Sequence, residues 1–357
     1  MPTTNATPAL RASEVIRGWG HILAGRPPVL SIEITRECPL SCPGCYAYGD
    51  DHLGGDVNLR QLNDFRGDDL VEKVVKLVRD NHSIHVSLVG GEPMVRVKEL
   101  SRILPQLSAM GTFTQVVTSG IVPVPTEWMT IPRFRLVVSI DGLPEHHNVR
   151  RKPATYERIL KNIAGCFVNI HWTITAVMLE RPGYLEEYVR YWSERPELHR
   201  LLISTYTPQI GESTPEMLTR EQRVYVAHEL ARLAKIYPKM LMNGRIEDAF
   251  ISPPQSPADC TFARMSLNYS ADLKTRVEPC IFGGNPDCSA CGCAASVGLH
   301  GLKKVPLGMG VRVGHFVNSS VRIGAFFANL LRRPAATARW RNLPPPPKQN
   351  PLVQIGQ

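Results

Sequence analysis

A chain of 357 residues has room for one large domain or two ordinary ones and can bury a sizeable core. No stretch approaches the roughly 18 consecutive apolar residues of a spanning helix, and the first 27 residues lack the apolar core of a secretory signal, so a soluble or peripheral, cytoplasmic protein is expected. The net charge of +9 is confined to one end: from Cys288 to Gln357 there are nine Lys or Arg and no Asp or Glu, and the other residues balance.

Residues 1–27 read as a lead-in with helical character from Ala12 to Leu23, closed by Arg26-Pro27-Pro28. From Val29 the pattern alternates between strand and helix. Val29–Ile34 is a strand that runs into Cys38-Pro39-Leu40-Ser41-Cys42-Pro43-Gly44-Cys45. Three thiols in eight residues reach one inorganic cluster from a single loop. They are one short of what a 4Fe–4S cube needs, which leaves an iron open for chemistry. The alternative is a zinc knuckle lacking its fourth ligand.

Asp68–Val78 has apolar positions at helical spacing, and Ile84–Val89 is a strand leading into Gly90-Gly91-Glu92-Pro93. Two glycines there permit close backbone approach to a ligand, although a plain turn accounts for the tetrapeptide taken alone. Lys98–Met110 is a helix with a kink expected at Pro105 and a left-handed cap at Gly111. Thr112–Val117 and Phe134–Ile140 are strands, Thr155–Phe167 a helix, Ile170–Val177 a strand, Tyr184–Trp192 a helix and Leu201–Tyr206 a strand. Six strands joined by crossovers imply parallel pairing, and the count falls short of a closed eight-stranded barrel. The fold class is therefore α/β, a partial (β/α)6 TIM-like barrel, with ligands at the carboxyl ends of its strands.

Pro215–Tyr237 reads as a long helix with Thr214 as its N-cap. The Pro-rich run Ser252–Pro257 is a candidate domain boundary. Beyond it Cys260, Cys280, Cys288, Cys291 and Cys293 form a second group, with Ala263–Tyr269 and Lys274–Glu278 reading as a hairpin that brings Cys260 and Cys280 together. Cys288 and Cys291 would complete four ligands, with Cys293 as a substitute, and a structural zinc site is equally open at this point. Cys166 is a buried small hydrophobe, and His82, His85, His146 and His171 show no metal spacing. Val321–Leu331 is helical, and the Pro-rich end from Pro344 reads as disordered.

C-x3-C-x2-C after the first strand, Gly-Gly-Glu-Pro after the second, and Val138–Gly142 followed by His147 and Arg150 together resemble the radical S-adenosylmethionine (radical SAM) superfamily. The second cysteine group resembles a twitch, or truncated SPASM, domain. The resemblance implies that Cys38, Cys42 and Cys45 hold a 4Fe–4S cluster whose fourth iron takes SAM. It implies that Gly90, Gly91 and Glu92, with Pro93, contact the methionyl amine. Ser139 and Asp141 would face the ribose or methionyl end, Arg150 the carboxylate, and the Tyr46 backbone the adenine. One auxiliary 4Fe–4S cluster would sit at the second group, and a reductant such as flavodoxin or ferredoxin would supply electrons. The position before the third cysteine is usually aromatic in the family and is Gly44 here, so adenine packing must come from elsewhere. The third strand ends in Thr-Ser-Gly where Thr-Asn-Gly is common.

The expected division is 1–27 lead-in, 28–245 radical SAM core, 258–295 auxiliary-cluster domain and 296–357 basic tail. The expected reaction is cleavage of SAM to a 5′-deoxyadenosyl radical that abstracts a hydrogen atom. The acid-free tail, with its aromatic and aliphatic residues, points to an anionic membrane surface and a lipid or membrane-associated substrate. A ribosomal peptide and a small metabolite are the alternatives, and nucleic acid is not an expected partner. A cluster scaffold or electron carrier, the non-enzyme alternative, has no use for Gly-Gly-Glu-Pro or an open iron.

Overall fold

The structure, a computed structural model, describes residues 12–48, 52–53, 62–308 and 310–331. Helix α1 (Ala12–Leu23) precedes β1 (Val29–Glu33), whose apolar run is buried on both faces, as a central parallel strand requires. Helix α2 (Gly67–Asn81) turns Leu70, Val71, Val74, Val75 and Val78 to the core and ends at His82 in the left-handed conformation. Then follow β2 (His85–Val89), α3 (Val97–Ala109), β3 (Phe113–Thr118) and β4 (Phe134–Ser139). Helix α3 runs through Pro105, and Gly111 caps it at φ +74°. Next come α4 (Pro144–Arg150), α5 (Tyr156–Asn162), β5 (Val168–Ile174), α6 (Tyr184–Ser193) and β6 (Leu198–Thr205).

The second half holds α7 (Arg220–Ala234), α8 (Gly244–Ile251), α9 (Thr261–Met265), β7 (Ser266–Tyr269), α10 (Ala294–Lys303), β8 (Pro306–Gly308), β9 (Val311–Arg312) and α11 (Val313–Leu330). Helix α7 starts at Arg220, five residues later than Pro215. The reason is local: Thr219 and Gln222 form a reciprocal capping box, and this satisfies the orphan donors there instead of at Thr214. The preceding turn brings Glu216 toward the site described below.

The main sheet has seven strands in the order β6-β5-β4-β3-β2-β1-β7, all parallel. Six of them and their crossovers are those expected, so the sheet is a partial barrel. The seventh joins the expected hairpin to the sheet. Residues 261–265 are helical, and β7 pairs in parallel with β1 in place of forming an independent two-stranded unit. Its return is reduced to an antiparallel bridge, Tyr269 to Arg276, with the Val277 N–H donating to the Asn268 carbonyl at 2.9 Å. Burial explains the choice: β7 is buried along its whole length beside β1, which a surface hairpin would not achieve. The second cysteine segment is thereby continuous with the core sheet.

Helices α1 and α11 cross outside this sheet at Gly25 and Gly324. A Cβ at Gly324 would lie 1.9 Å from the Ile22 carbonyl oxygen, so only glycine permits that approach. Helix α11 is longer than the expected Val321–Leu331 because Val317, Val321 and Ala328 bury against this crossing. The Pro-rich end and Arg332-Arg333 lie outside the described residues. No helix among the described residues is long and apolar enough to cross a membrane.

Candidate active site

Parallel strands place their carboxyl ends together, and the loops after β1, β2, β3 and β4 meet there. Gly90 and Gly91 pack closely on the protein's own backbone. A Cβ at Gly90 would lie 2.4 Å from the Thr35 carbonyl oxygen, and one at Gly91 would lie 2.4 Å from that of Glu37. The Gly91 and Glu92 N–H groups donate to those same two carbonyls, each at 2.8 Å. The close backbone approach is thus to the segment that launches the cysteine loop. Arg96, next to this loop and buried, donates to Glu37 at 3.0 Å and holds that segment from the other side.

Glu92 is buried, and its carboxylate is fully engaged. Oε1 accepts from Met94 N–H at 2.9 Å and from Thr118 Oγ1 at 2.6 Å, and Oε2 accepts from Ser119 N–H at 2.8 Å and Ser119 Oγ at 2.5 Å. Pro93 begins the short turn beyond it. The Glu92 side chain thus locks the β2 loop to the β3 end. Thr118 and Ser119, assigned no such role from the sequence, do this locking.

The β4 end carries the charge. Ser139 ends the strand, and Asp141 is buried two residues later. Asp141 Oδ2 accepts from Arg150 Nε at 3.1 Å and from Arg151 Nε at 2.7 Å. Burial opposes its charge, but the Arg151 and Arg150 guanidiniums outweigh burial and hold the carboxyl well below the usual carboxylate range. Arg150 also pairs with Glu216, so two carboxylates already share it. Arg151, absent from the expected set, lies within electrostatic reach of Cys42 and Cys45, as Arg150 does of Cys42. The sequence signal for it was only its place beside Arg150. His147 is neutral: burial pushes its pKa down to about 4. Its Nδ1 accepts from the Asp141 N–H at 3.0 Å, so Nε2 carries the proton and donates to the Ala154 carbonyl at 2.8 Å.

All nine cysteines are free. Cys38, Cys42 and Cys45 are partly exposed on one loop. Burial, with the Cys45 and Cys42 sulfurs and Glu92 nearby, pushes the Cys38 thiol up to about 11. Such thiols are good ligands only once a cation displaces their protons. Gly44 has φ +62°, and its missing side chain leaves room for Tyr206 from the β6 end, which packs against the loop.

The second group gathers where the sequence placed it. Cys260, Cys280, Cys288, Cys291 and Cys293 all line one cleft, walled by Pro254, Pro257, Phe262, Phe282 and Pro286. Burial pushes the Cys288 and Cys293 thiols up to about 12 and Cys280 well above the ordinary range. Backbone N–H groups of Ala295 and Ser296 point at the Cys293 sulfur, and Ser296 Oγ lies 3.2 Å from the Cys260 sulfur. An apolar cleft with five thiols and several N–H···S donors fits an iron–sulfur cluster. Among the described residues, no group of three or more His, Cys, Asp or Glu side chains is arranged to hold a metal ion. Cys166 lies in the core, as expected.

Tyr46 stands between the two groups. Its ring meets Phe282 edge-on at 5.3 Å and lies 5.8 Å from His52. His52 bridges further, with Nε2 2.6 Å from Glu33 Oε1 and Nδ1 3.0 Å from the Phe282 carbonyl. Ser270 Oγ donates to the other Glu33 oxygen at 2.8 Å. This buried Glu33–His52–Ser270 set, which sequence reasoning did not find, ties the β1 end to the second cysteine segment.

Comparison with known proteins agrees with this geometry. Residues 32–191 match the model of the radical SAM superfamily. The PqqA peptide cyclase of Rhizobium meliloti (strain 1021) is 29% identical over 111 residues, 31% of this chain and 27% of that protein. The PqqA peptide cyclase of Xanthomonas euvesicatoria pv. vesicatoria (strain 85-10) is 29% identical over 97 residues, 27% of this chain and 24% of that protein. The chain thus spans about a quarter of the length of these curated relatives. Among solved structures, Streptococcus suis SuiB bound to precursor peptide SuiA aligns with a TM-score of 0.56 and 15% identity, covering 75% of this chain and 62% of that one. Native anSMEcpe with bound AdoMet aligns with a TM-score of 0.52 and 13% identity, covering 85% and 97%. These structures share the fold. Residues 32–191 are thus similar to the radical SAM superfamily.

Proposed function

We propose that this chain is a two-cluster radical SAM enzyme that takes a hydrogen atom from a C–H bond of a lipid or other membrane-associated substrate. The chemistry is supported by the meeting of the Cys38–Cys45 loop with Gly90–Glu92, Ser119 and Asp141–Arg151 at one end of the parallel sheet. Cys38, Cys42 and Cys45 would hold the first cluster. When bound, that cluster and SAM supply a one-electron cleavage yielding a carbon radical strong enough to break an unactivated C–H bond. The chain's own residues set the geometry. Glu92 and Ser119 fix the two loops beside the cysteines, Asp141 holds Arg150 and Arg151 in place, and Arg151 offers a cation beside Cys42 for an anionic group of SAM. Four of the five thiols at Cys260–Cys293 would hold a closed auxiliary 4Fe–4S cluster. A low-potential donor such as flavodoxin or ferredoxin would supply the electron. The division into core 28–245, auxiliary segment 258–295 and basic tail 296–357 is part of the same reading.

The single observation that carries the substrate class is the outer face of α11. Phe316, Ile323, Phe326, Phe327 and Leu330 are all exposed. At about 100° per residue they fall on one stripe, distinct from the face that packs on α1. Arg322 flanks the stripe, Lys303, Lys304 and Arg312 precede it, and Arg332 and Arg333 follow it in sequence, with no acidic residue among them. Lys304 is paired with Asp248 at 3.7 Å, and aromatic and aliphatic side chains beside Arg322, in a stretch without acidic residues, match an anionic bilayer surface. Co-sedimentation of the full chain with vesicles of phosphatidylcholine alone or with added phosphatidylglycerol tests it. Binding only to the anionic vesicles, lost in Phe326→Ser/Phe327→Ser, is expected. Equal recovery with and without anionic lipid would contradict it.

A peptide substrate is the second reading, favoured by the names of the PqqA peptide cyclases and by the SuiB complex with its precursor peptide. Peptide-dependent and lipid-dependent 5′-deoxyadenosine formation, measured side by side, separates the two.

A further inference from the structure

The carboxyl end of β6 lies against both cysteine loops at once. On one side is Gly44, the residue before Cys45. A Cβ there would come within 2.6 Å of Tyr206 Oη and 2.9 Å of the Tyr206 ring. On the other side is Gly292, between Cys291 and Cys293. A Cβ there would lie 1.8 Å from Thr205 Oγ1 and 2.5 Å from the Thr205 carbonyl oxygen. Thr205 and Tyr206 are consecutive, and consecutive side chains of an extended segment point to opposite faces. One strand end therefore addresses two loops, and each loop has a glycine where the strand presses on it.

Hydrogen bonds fix both contacts. The Thr205 N–H donates to the Gly292 carbonyl at 3.1 Å, the Gly292 N–H to Thr207 Oγ1 at 2.9 Å, and the Ala294 N–H to Ser204 Oγ at 3.0 Å. The Tyr206 N–H donates to the Ile174 carbonyl at 2.9 Å, and its hydroxyl donates to Glu212 Oε1 at 2.5 Å. The other Glu212 oxygen accepts from the Gln209 N–H at 2.8 Å. Thr205 and Tyr206 are both buried, and Thr205 Oγ1 has no hydrogen-bond partner among the described residues, although it sits against the loop that carries Cys291 and Cys293.

We propose that residues 204–207 are a positioning element that sets the geometry of both cluster sites together, Tyr206 through Gly44 and Thr205 through Gly292. The proposal rests on the two-cluster reading above. A close-packed contact has no slack, so a displacement of either loop must be passed along the strand end to the other. The two sites then respond as one unit, and a change made at one is read at the other.

The test uses the full chain, loaded anaerobically with iron and sulfide. Electron paramagnetic resonance is recorded on the reduced protein with and without SAM, which marks the signal of the first cluster. Gly292→Ala, made at the second site, is expected to shift the SAM-dependent signal and weaken SAM binding severalfold at unchanged iron content. Tyr206→Leu, made at the first site, is expected to shift the SAM-independent signal. Tyr206→Phe, which keeps the ring, should restore the wild-type spectra, which a general loss of stability would not allow. Should Gly292→Ala fail to fold or load, Thr205→Val perturbs the same contact at nearly constant volume and is read in the same way. Variants that each alter only the neighbouring cluster would overturn the proposal. Wild-type protein holding a single cluster would instead overturn the two-cluster reading on which it rests, and that is seen before any variant is made.

Discussion

Ser119 grips Glu92 twice, with its N–H 2.8 Å and its hydroxyl 2.5 Å from the same carboxylate oxygen. The pair joins the loop after β2 to the loop after β3, and Thr118 and Met94 hold the other oxygen. Replacing Glu92 with Ala would leave several buried donors unpaired, each costing about 1–3 kcal/mol. The expected result is a large fall in the melting temperature of iron-free protein, whereas Ser119→Ala, which keeps the N–H bond, should cost about 1 kcal/mol. Thermal unfolding of the two variants checks this. Equal stabilities for Glu92→Ala and wild type would show that the carboxylate does not hold the loops.

Gly90 is the backbone hinge of that junction. Its φ of +131° is open to glycine alone, and a Cβ would meet the Thr35 carbonyl oxygen. Gly90→Ala should therefore push residues 35–37 and the cysteine loop away while sparing the distant second group. Reconstituted protein is expected to lose about four of the eight irons that two cubes hold. Full iron content in Gly90→Ala would show that the glycine does not set the cysteine loop.

Asp141 orders two guanidiniums, both within electrostatic reach of Cys42. Asp141→Asn removes their counter-charge. SAM affinity, measured by equilibrium dialysis, should fall about tenfold or more, corresponding to about 1.4 kcal/mol. The melting temperature should fall as well, since Arg151 loses its carboxylate and Arg150 keeps only Glu216. Unchanged SAM affinity would remove Asp141 and Arg151 from the site.

The buried His52–Glu33 pair links stability to pH. Burial lowers the His52 pKa, but the Glu33 hydrogen bond and charge outweigh it, so the net shift is upward from 6.5. A raised folded pKa means that the pair's contribution is fully present below the unfolded value of 6.5 and is lost as pH rises through the folded value. The stability difference between wild type and His52→Gln should thus be largest in mildly acidic solution, about 1–3 kcal/mol, and shrink as the pH rises past the folded value. Denaturant titrations at several pH values measure it. A difference that grows with pH would show the opposite sign of linkage.

Much of this was legible in the sequence because the signals are local. Buried parallel strands such as β1 and β4 read as continuous apolar runs, and three thiols on one loop need no tertiary knowledge. The second cysteine group was found on the same grounds. What escaped depends on partners distant in sequence. The four residues of β7 have the alternation of a hairpin, and nothing in that local pattern shows that they also pair with β1. The donors that hold Glu92, Thr118 and Ser119, arrive from another strand. Arg150 and Arg151 are equivalent as letters, and only the turn before α7 brings Glu216 to Arg150. Gly44 looked like a loss of aromatic packing until Tyr206 filled the space from β6.

The most direct measurement is anaerobic reconstitution of the full chain, with iron counted and 5′-deoxyadenosine assayed after reduction in the presence of SAM. The account predicts about eight irons per chain, from two cubes of four, and formation of 5′-deoxyadenosine that vanishes in Cys42→Ala. Fully loaded protein that leaves SAM intact would contradict it.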